Sequence, residues 1–310
     1  MLPPWLGQAV GPVLVIVLVL ALAVLAVATD HVRSRERALV GTQNLARLIE
    51  AQLSDNFDKI DIYLQLVALR HGAVLQGGGA DPGGTGLQVQ PRMARVALDD
   101  VAIADADGAV RLRTAALPAP LAQVGAQEFF RRAVAEPRGA LVVVVVGPVP
   151  GGPAGAQDGA SRIVFARAVR DARGTLRGVV FAGMSGAQFD QLFEGIAFGV
   201  PGAASLRTED LPAVHYHPAT QGAPAGVSEG LRRAVRVAPA QGSYEAAGTV
   251  DGHQRLNAYR RLRDHPFYVV VGQSMQDAMA GWRANTLMVA ALAALTVVLT
   301  LWAGLMLVRS

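Results

Sequence analysis

A chain of 310 residues with 52% apolar side chains and a net charge of only +4 is long enough for one or two domains with their own cores. It has no cysteine, which excludes a disulfide framework, thiolate chemistry and a cysteine-ligated metal. Its arginines are scattered, with no basic stripe interleaved with aromatics, which argues against a nucleic-acid partner.

Residues 1–29 carry no charged side chain. Val10–Thr29 is about 20 residues, enough at ~1.5 Å per residue to span a ~30 Å hydrocarbon core. A cleaved signal peptide with Ala26-Val27-Ala28 as its processing site is the competing reading. Ala284–Val308 is a second uncharged run, ending at Arg309. Two spans would leave the intervening residues on one side of the membrane. Arg33, Arg35 and Arg37 at the loop's start would place it in the cytoplasm by a naive charge count, but long loops translocate largely regardless of charge.

Arg33–Arg70 reads as one long helix. Leu45, Ile49, Leu53, Phe57, Ile60, Leu64 and Val67 recur at steps of three and four, the spacing of one helical face. That stripe can pack on a sheet. Near the membrane, at Leu39, Leu45 and Ile49, no sheet is expected, and the surplus apolar face there suggests a homodimer seam. His71-Gly72 is expected to end the helix. Gly77–Gly86 is a Gly-rich loop, but no Gly-Lys-Ser/Thr follows, so it is not read as a phosphate cradle.

A first module follows. Val96–Ala104 and Ala109–Thr114 read as strands around an Asp105–Gly108 turn, and Gln127–Ala135 as a short helix. Leu141–Val146, with five consecutive valines, reads as a buried strand. After a Pro/Gly loop, Pro148–Gly159, come the strands Arg162–Arg170 and Leu176–Gly183 about the Asp171–Gly174 turn, then a helix from Gln188 to Phe193. The same order restarts in shorter form. Ala203–Arg207 and Ala213–His217 are strands about a Thr208–Asp210 turn, and Val227–Val235 is a helix. Ser243–Val250 and Gln254–Leu262 form a hairpin at Asp251-Gly252, and Phe267–Gln273 closes the sheet. Met275–Trp282 begins a helix that enters the second span. The repeat is one of element order, not of residues.

Catalytic signals are weak. His215 and His217, at i and i+2 on a strand, share one face and could be half a metal site, but no Asp or Glu shares that strand. Ser185 in Gly183-Met184-Ser185-Gly186 lacks the second glycine of a nucleophile elbow, since residue 187 is Ala. No catalytic residue, metal or cofactor is expected.

The run Phe165-Ala166-Arg167, a D-x-x-G turn, Gly178-Val179-Val180 and a helix with Phe189, Leu192 and Phe193 resembles the double-Cache (PDC) sensor domains found ahead of bacterial diguanylate cyclases and histidine kinases. Tyr259-Arg260-Arg261-Leu262 followed by Pro266–Gly272 is the next best match. The resemblance, from about Val32 to Trp282, implies an α/β (α+β, PAS-like) fold: two tandem Cache modules with central antiparallel sheets, a long N-terminal helix and two flanking transmembrane helices. The implied divisions are 1–31 (span), 32–72 (signalling helix), 73–200 (membrane-distal module), 201–274 (membrane-proximal module) and 275–310 (span). It also implies an extracytoplasmic, periplasmic loop at 32–283 of a bacterial inner-membrane protein. The expected function is a small-molecule sensor with an output domain after Ser310. A stand-alone membrane-anchored binding module and a membrane-tethered hydrolase are the alternatives. Pocket-like positions in the first module are Arg111, Phe129, Phe130, Arg131, Phe165 and Arg167, and an anionic or zwitterionic ligand is expected there rather than in the second module. The family's Asp-Arg-Asp-Tyr-Phe run is replaced here by Ala126-Gln127-Glu128-Phe129-Phe130.

Overall fold

The computed structural model describes residues 4–75, 98–114, 123–147, 162–193, 202–217, 227–247 and 253–309. Helix α1 (Pro4–Leu75) runs unbroken from the first apolar segment through the amphipathic one. No proline lies between Val13 and Leu75, and the glycine at His71-Gly72 does not end the helix. One glycine costs only about 1 kcal/mol relative to alanine, too little to stop a long helix. At ~1.5 Å per residue, α1 is about 108 Å long.

Two five-stranded antiparallel sheets stack along this helix. The first joins β1 (Asp100–Asp105), β2 (Val110–Arg113), β3 (Val142–Val146), β4 (Arg162–Arg170) and β5 (Leu176–Met184) in the order β2-β1-β5-β4-β3. The second joins β6 (Ala203–Thr208), β7 (Ala213–His217), β8 (Gln241–Ala247), β9 (Gln254–Arg261) and β10 (Phe267–Ser274) in the order β7-β6-β10-β9-β8. The second order is the first with every label raised by five, so the repeat read from element order is a repeat of topology. Helix α2 (Glu128–Ala135) covers the first sheet and α4 (Glu229–Val237) the second, each on the face away from α1. Helix α3 (Gly186–Phe193) leads from one sheet to the other. β10 passes through α5 (Met275–Ala278) into α6 (Ala280–Arg309). The expected Gly77–Gly86 and Pro148–Gly159 loops and the Asp251-Gly252 hairpin lie outside the described residues.

Period-two alternation puts Ile163 and Phe165 of β4 toward α1, and Val164 and Ala166 toward α2. In the second sheet Phe267, Val269 and Val271 face α1, while Tyr268 and Val270 face α4. One continuous core therefore runs along α1, with Ala46, Ile49, Leu53, Phe57, Ile60, Leu64 and Val67 all buried. Phe57 marks the junction: its ring lies 4.8 Å from Phe165 of the first sheet, 6.0 Å from Phe267 of the second and 5.0 Å from His265.

This packing corrects the seam expected at the membrane-proximal end of the helix. A sheet does lie there. Ile49 is fully buried and Leu45 packs against the same core, while Leu39 lines a groove facing Tyr244 and Leu256. Beyond the first apolar segment, α1 exposes Val32, Val40 and Leu48, and nearer its distal end Ile62, Leu66 and Leu69, a row at i, i+4 and i+7.

The helices α1 and α6 each contain a segment long and apolar enough to cross a membrane. They pack against each other where the indole of Trp282 donates to the Val27 carbonyl (3.2 Å) and Asn285 donates to Asp30 (3.2 Å).

Candidate functional site

The six expected pocket residues do not converge. Phe129 and Phe130 of α2 are buried against the outer face of the first sheet, with the Phe129 ring tilted against Phe181 (5.0 Å). The described buried residues of that cluster are all apolar. Phe165 and Arg167 point the other way, toward α1, where Arg167 donates to Asp61 (2.5 Å). Arg111 is tied to Asp105 at the β1–β2 turn (2.5 Å), and Arg131 is exposed on α2. The Arg111 guanidinium and the backbone N–H groups of Ala109 and Asp107 hold the Asp105 carboxyl below its ordinary range against the opposing effect of burial. Phe165 and Arg167, two apart on β4, share the face toward α1, whereas Phe129 and Phe130 come from α2 on the opposite face, so the sheet stands between them.

His215 and His217 also find structural partners. Both approach Oδ1 of Asp190 on α3, at 3.0 and 2.8 Å, and their rings pack on Phe189 and Phe193. They fasten α3, the connector leaving the first sheet, to β7 of the second.

A different cluster stands out on the outer face of the second sheet. Ser205 and Arg207, alternate residues of β6, point away from α1, and both are buried. Tyr216 is the cross-strand neighbour of Ser205, and Tyr268 that of Arg207. Tyr259 and Tyr244 continue the aromatic floor, with ring centroids 6.2 Å (Tyr259–Tyr268) and 6.3 Å (Tyr244–Tyr259) apart. Tyr259 can cross toward the β8 side because Gly242 leaves no Cβ in its way. The tyrosine hydroxyls of 259 and 268 donate to the carbonyls of Ala238 (2.7 Å) and Pro239 (2.8 Å), fixing the turn between α4 and β8.

Arg207 is only 5% exposed. Its Nε donates to Ser205 (3.2 Å), Nη1 to the Leu211 carbonyl (2.9 Å) and Nη2 to the Tyr216 hydroxyl, and the guanidinium carbon sits 5.3 Å from the Tyr216 ring centroid. Leu211 holds φ +79°, a left-handed conformation that a leucine adopts only under constraint. The strained turn brings its carbonyl onto the guanidinium. Burial pushes the Tyr244 hydroxyl up to about 12, so it stays neutral. The cluster therefore surrounds one buried positive charge with neutral acceptors, the Ser205 hydroxyl, the Leu211 carbonyl and the Tyr216 hydroxyl, and among the described residues no carboxylate is paired with it. The sequence reading gives Ala203–Arg207 as a strand and singles out no site residue on it. Ser205 and Arg207 two apart, in Ala203-Ala204-Ser205-Leu206-Arg207, were the available signal of a polar inner face.

No family model matches the chain, and no curated protein matches it. Solved structures do. The extracellular domain assigned to a histidine kinase, rpHK1S-Z16, is 22% identical over 80% of this chain and 98% of its own, with a TM-score of 0.63. The ligand-binding domain of the Pseudomonas fluorescens chemoreceptor CtaA, solved with L-leucine, is 13% identical over 79% of this chain and 98% of its own (TM-score 0.54). That of the Campylobacter jejuni chemoreceptor Tlp3, solved with 4-methylisoleucine, is 12% identical over 79% and 94% (TM-score 0.51). At these identities the likeness is one of fold. The chain's two tandem antiparallel sheets share the fold of these extracellular and ligand-binding domains.

Proposed function

We propose that this chain is the small-molecule sensor region of a membrane signal-transduction protein. The first span would occupy residues 1–31 and the second 275–310, with the two sheets outside the cytoplasm. Its output, a histidine kinase or a diguanylate cyclase, would lie beyond the second span. One observation carries the reading: both terminal apolar helices are continuous with the elements that build the two sheets. The first apolar segment and the spine of both sheets are a single helix, and the last strand of the second sheet leads into the helix of the second span through four residues of α5. A displacement in either sheet reaches the membrane without crossing a flexible linker. The likeness to extracellular domains of kinases and chemoreceptors supports the same reading.

Such a device transmits by shifting between two arrangements of the spans. Pairing of two copies along the exposed row Ile62, Leu66 and Leu69 would supply those arrangements, since a contiguous apolar row favours a partner over water. The chain has no cysteine of its own. The full chain followed by a diguanylate cyclase reporter domain is the material for the test. Leu66→Cys is expected to form an interchain disulfide under mild oxidation and to fix the reporter at one output level. Arg173→Cys, on the β4–β5 turn, is expected to stay largely monomeric. Equal crosslinking at both sites, or a disulfide at Leu66 without effect on the reporter, would remove the paired helix from the proposal.

A further inference from the structure

The four tyrosines on the outer face of the second sheet divide into two pairs. Tyr259 and Tyr268 donate their protons to backbone carbonyls. Tyr216 and Tyr244 do not. The Tyr216 oxygen accepts from Arg207, so its own proton remains available. Tyr244 shares a hydrogen bond with Ser228, the N-cap of α4, whose oxygen already accepts from the Leu231 amide (3.2 Å). A serine oxygen has two lone pairs and can take the Tyr244 proton as well as the Leu231 amide, so Tyr244 is satisfied within the cluster. Among the described residues the Tyr216 proton has no acceptor. Arg207 adds to the excess. A guanidinium carries five N–H bonds, and three of its own are directed at Ser205, Leu211 and Tyr216.

The charge is as unbalanced as the hydrogen bonding. A buried cation is costly unless an anion accompanies it. Arg207 has no carboxylate partner among the described residues. Glu209, two residues on, is held by Arg261 (2.6 Å), and Asp210 is exposed. The Tyr216 ring offsets part of the cost, but a ring face accepts none of the spare protons. A strained leucine and an N-cap serine hold this cluster in place. What completes it is a group with two acceptor oxygens and one negative charge.

We infer that the second, membrane-proximal module holds a binding site of its own for a small carboxylate, centred on Arg207 with Tyr216 as the flanking donor. This rests on the sensor reading and gives it a ligand class and a place. The carboxylate accepts from the Arg207 guanidinium and from the Tyr216 phenol. Leu211, Val227 and Leu231 supply an apolar surround for a short hydrocarbon body. Among the described residues the cluster contains no carboxylate to receive an ammonium group, so the site selects a simple carboxylic acid over an amino acid. It is distinct from the apolar outer face of the first sheet, where Phe129 and Phe130 lie.

The test uses the full chain in lipid nanodiscs, with thermal unfolding followed by circular dichroism at constant ionic strength. The probes are sodium propionate, sodium acetate, L-alanine and sodium chloride. Propionate and acetate are expected to raise the unfolding temperature saturably, and chloride to leave it unchanged. L-Alanine is expected to act only at much higher concentration. Arg207→Met is expected to weaken the propionate effect on the order of a hundredfold. It should unfold no lower than the parent without ligand, because it removes an uncompensated buried charge. Tyr216→Phe keeps the ring and the fold and is expected to weaken propionate in the same direction. No saturable shift with either acid, or a propionate shift that survives Arg207→Met and Tyr216→Phe, would overturn the site. Alanine binding as tightly as propionate would overturn its ligand class. The sidedness of the sheets is measured independently, so a failure here is distinguishable from a failure of the sensor reading.

Discussion

Phe57→Ala is expected to destabilise the folded protein by about 3–5 kcal/mol, the usual cost of removing a fully buried phenylalanine. The residue is 0% exposed and touches rings from both sheets. Its loss opens a cavity between them that closes poorly, because the facing strands are tied by their ladders. The effect should be shared: the first and second sheets should lose protection together. Urea unfolding combined with hydrogen exchange on the full chain in nanodiscs measures both. A loss below about 1 kcal/mol, or a loss confined to one sheet, would show that the two sheets do not share a core at this point.

Arg162→Met is expected to cost a similar amount, about 3–5 kcal/mol at neutral pH. Asp100, at the start of β1, is 6% exposed and is paired with Arg162 of β4 across β5. The guanidinium reaches it over Gly183, where a Cβ would stand in its path. Burial pushes the Asp100 carboxyl up even though Arg162 and the Gly183 amide pull it down. Without Arg162 the carboxylate is left buried beside Asp99, which pushes the same way. The sign of the pH dependence follows. A carboxyl raised in the folded state stabilises the fold when protonated, and that contribution fades as pH rises through the folded value. The penalty of Arg162→Met is therefore largest at neutral pH and shrinks toward pH 4. Asp100→Asn added to Arg162→Met should recover most of the loss. Unfolding midpoints at the two pH values check this, and a pH-independent penalty would contradict it.

Most of the fold was legible in the chain. The stripe from Leu45 to Val67 is the buried face of α1, and the turns ending at Gly108 and Gly174 fall where the sequence put them, each glycine at positive φ. Some boundaries moved. β1 begins at Asp100 rather than Val96, and β8 starts at Gln241 instead of Ser243. The candidate site was harder to read. Whether Arg167 and Phe129 meet depends on which face of β4 and which side of α2 they occupy, and local spacing fixes each face only relative to its own element. Arg167 was read as free to bind a ligand because Asp61, its partner, is on α1 and far away in sequence. Arg207 was hidden for the opposite reason. Its significance comes from having no carboxylate partner among the described residues, which only the assembled sheet reveals.

The account stands on the two sheets lying outside the cytoplasm between two membrane-crossing helices, and a cysteine in an otherwise cysteine-free chain reads that directly. Arg173→Cys sits on the exposed β4–β5 turn, remote from both apolar segments. In intact cells whose outer membrane has been made permeable, a membrane-impermeant maleimide is predicted to label Arg173→Cys fully, and Ser310→Cys only after the inner membrane is opened. Labelling of Arg173→Cys only after that opening would place the sheets in the cytoplasm and contradict the account.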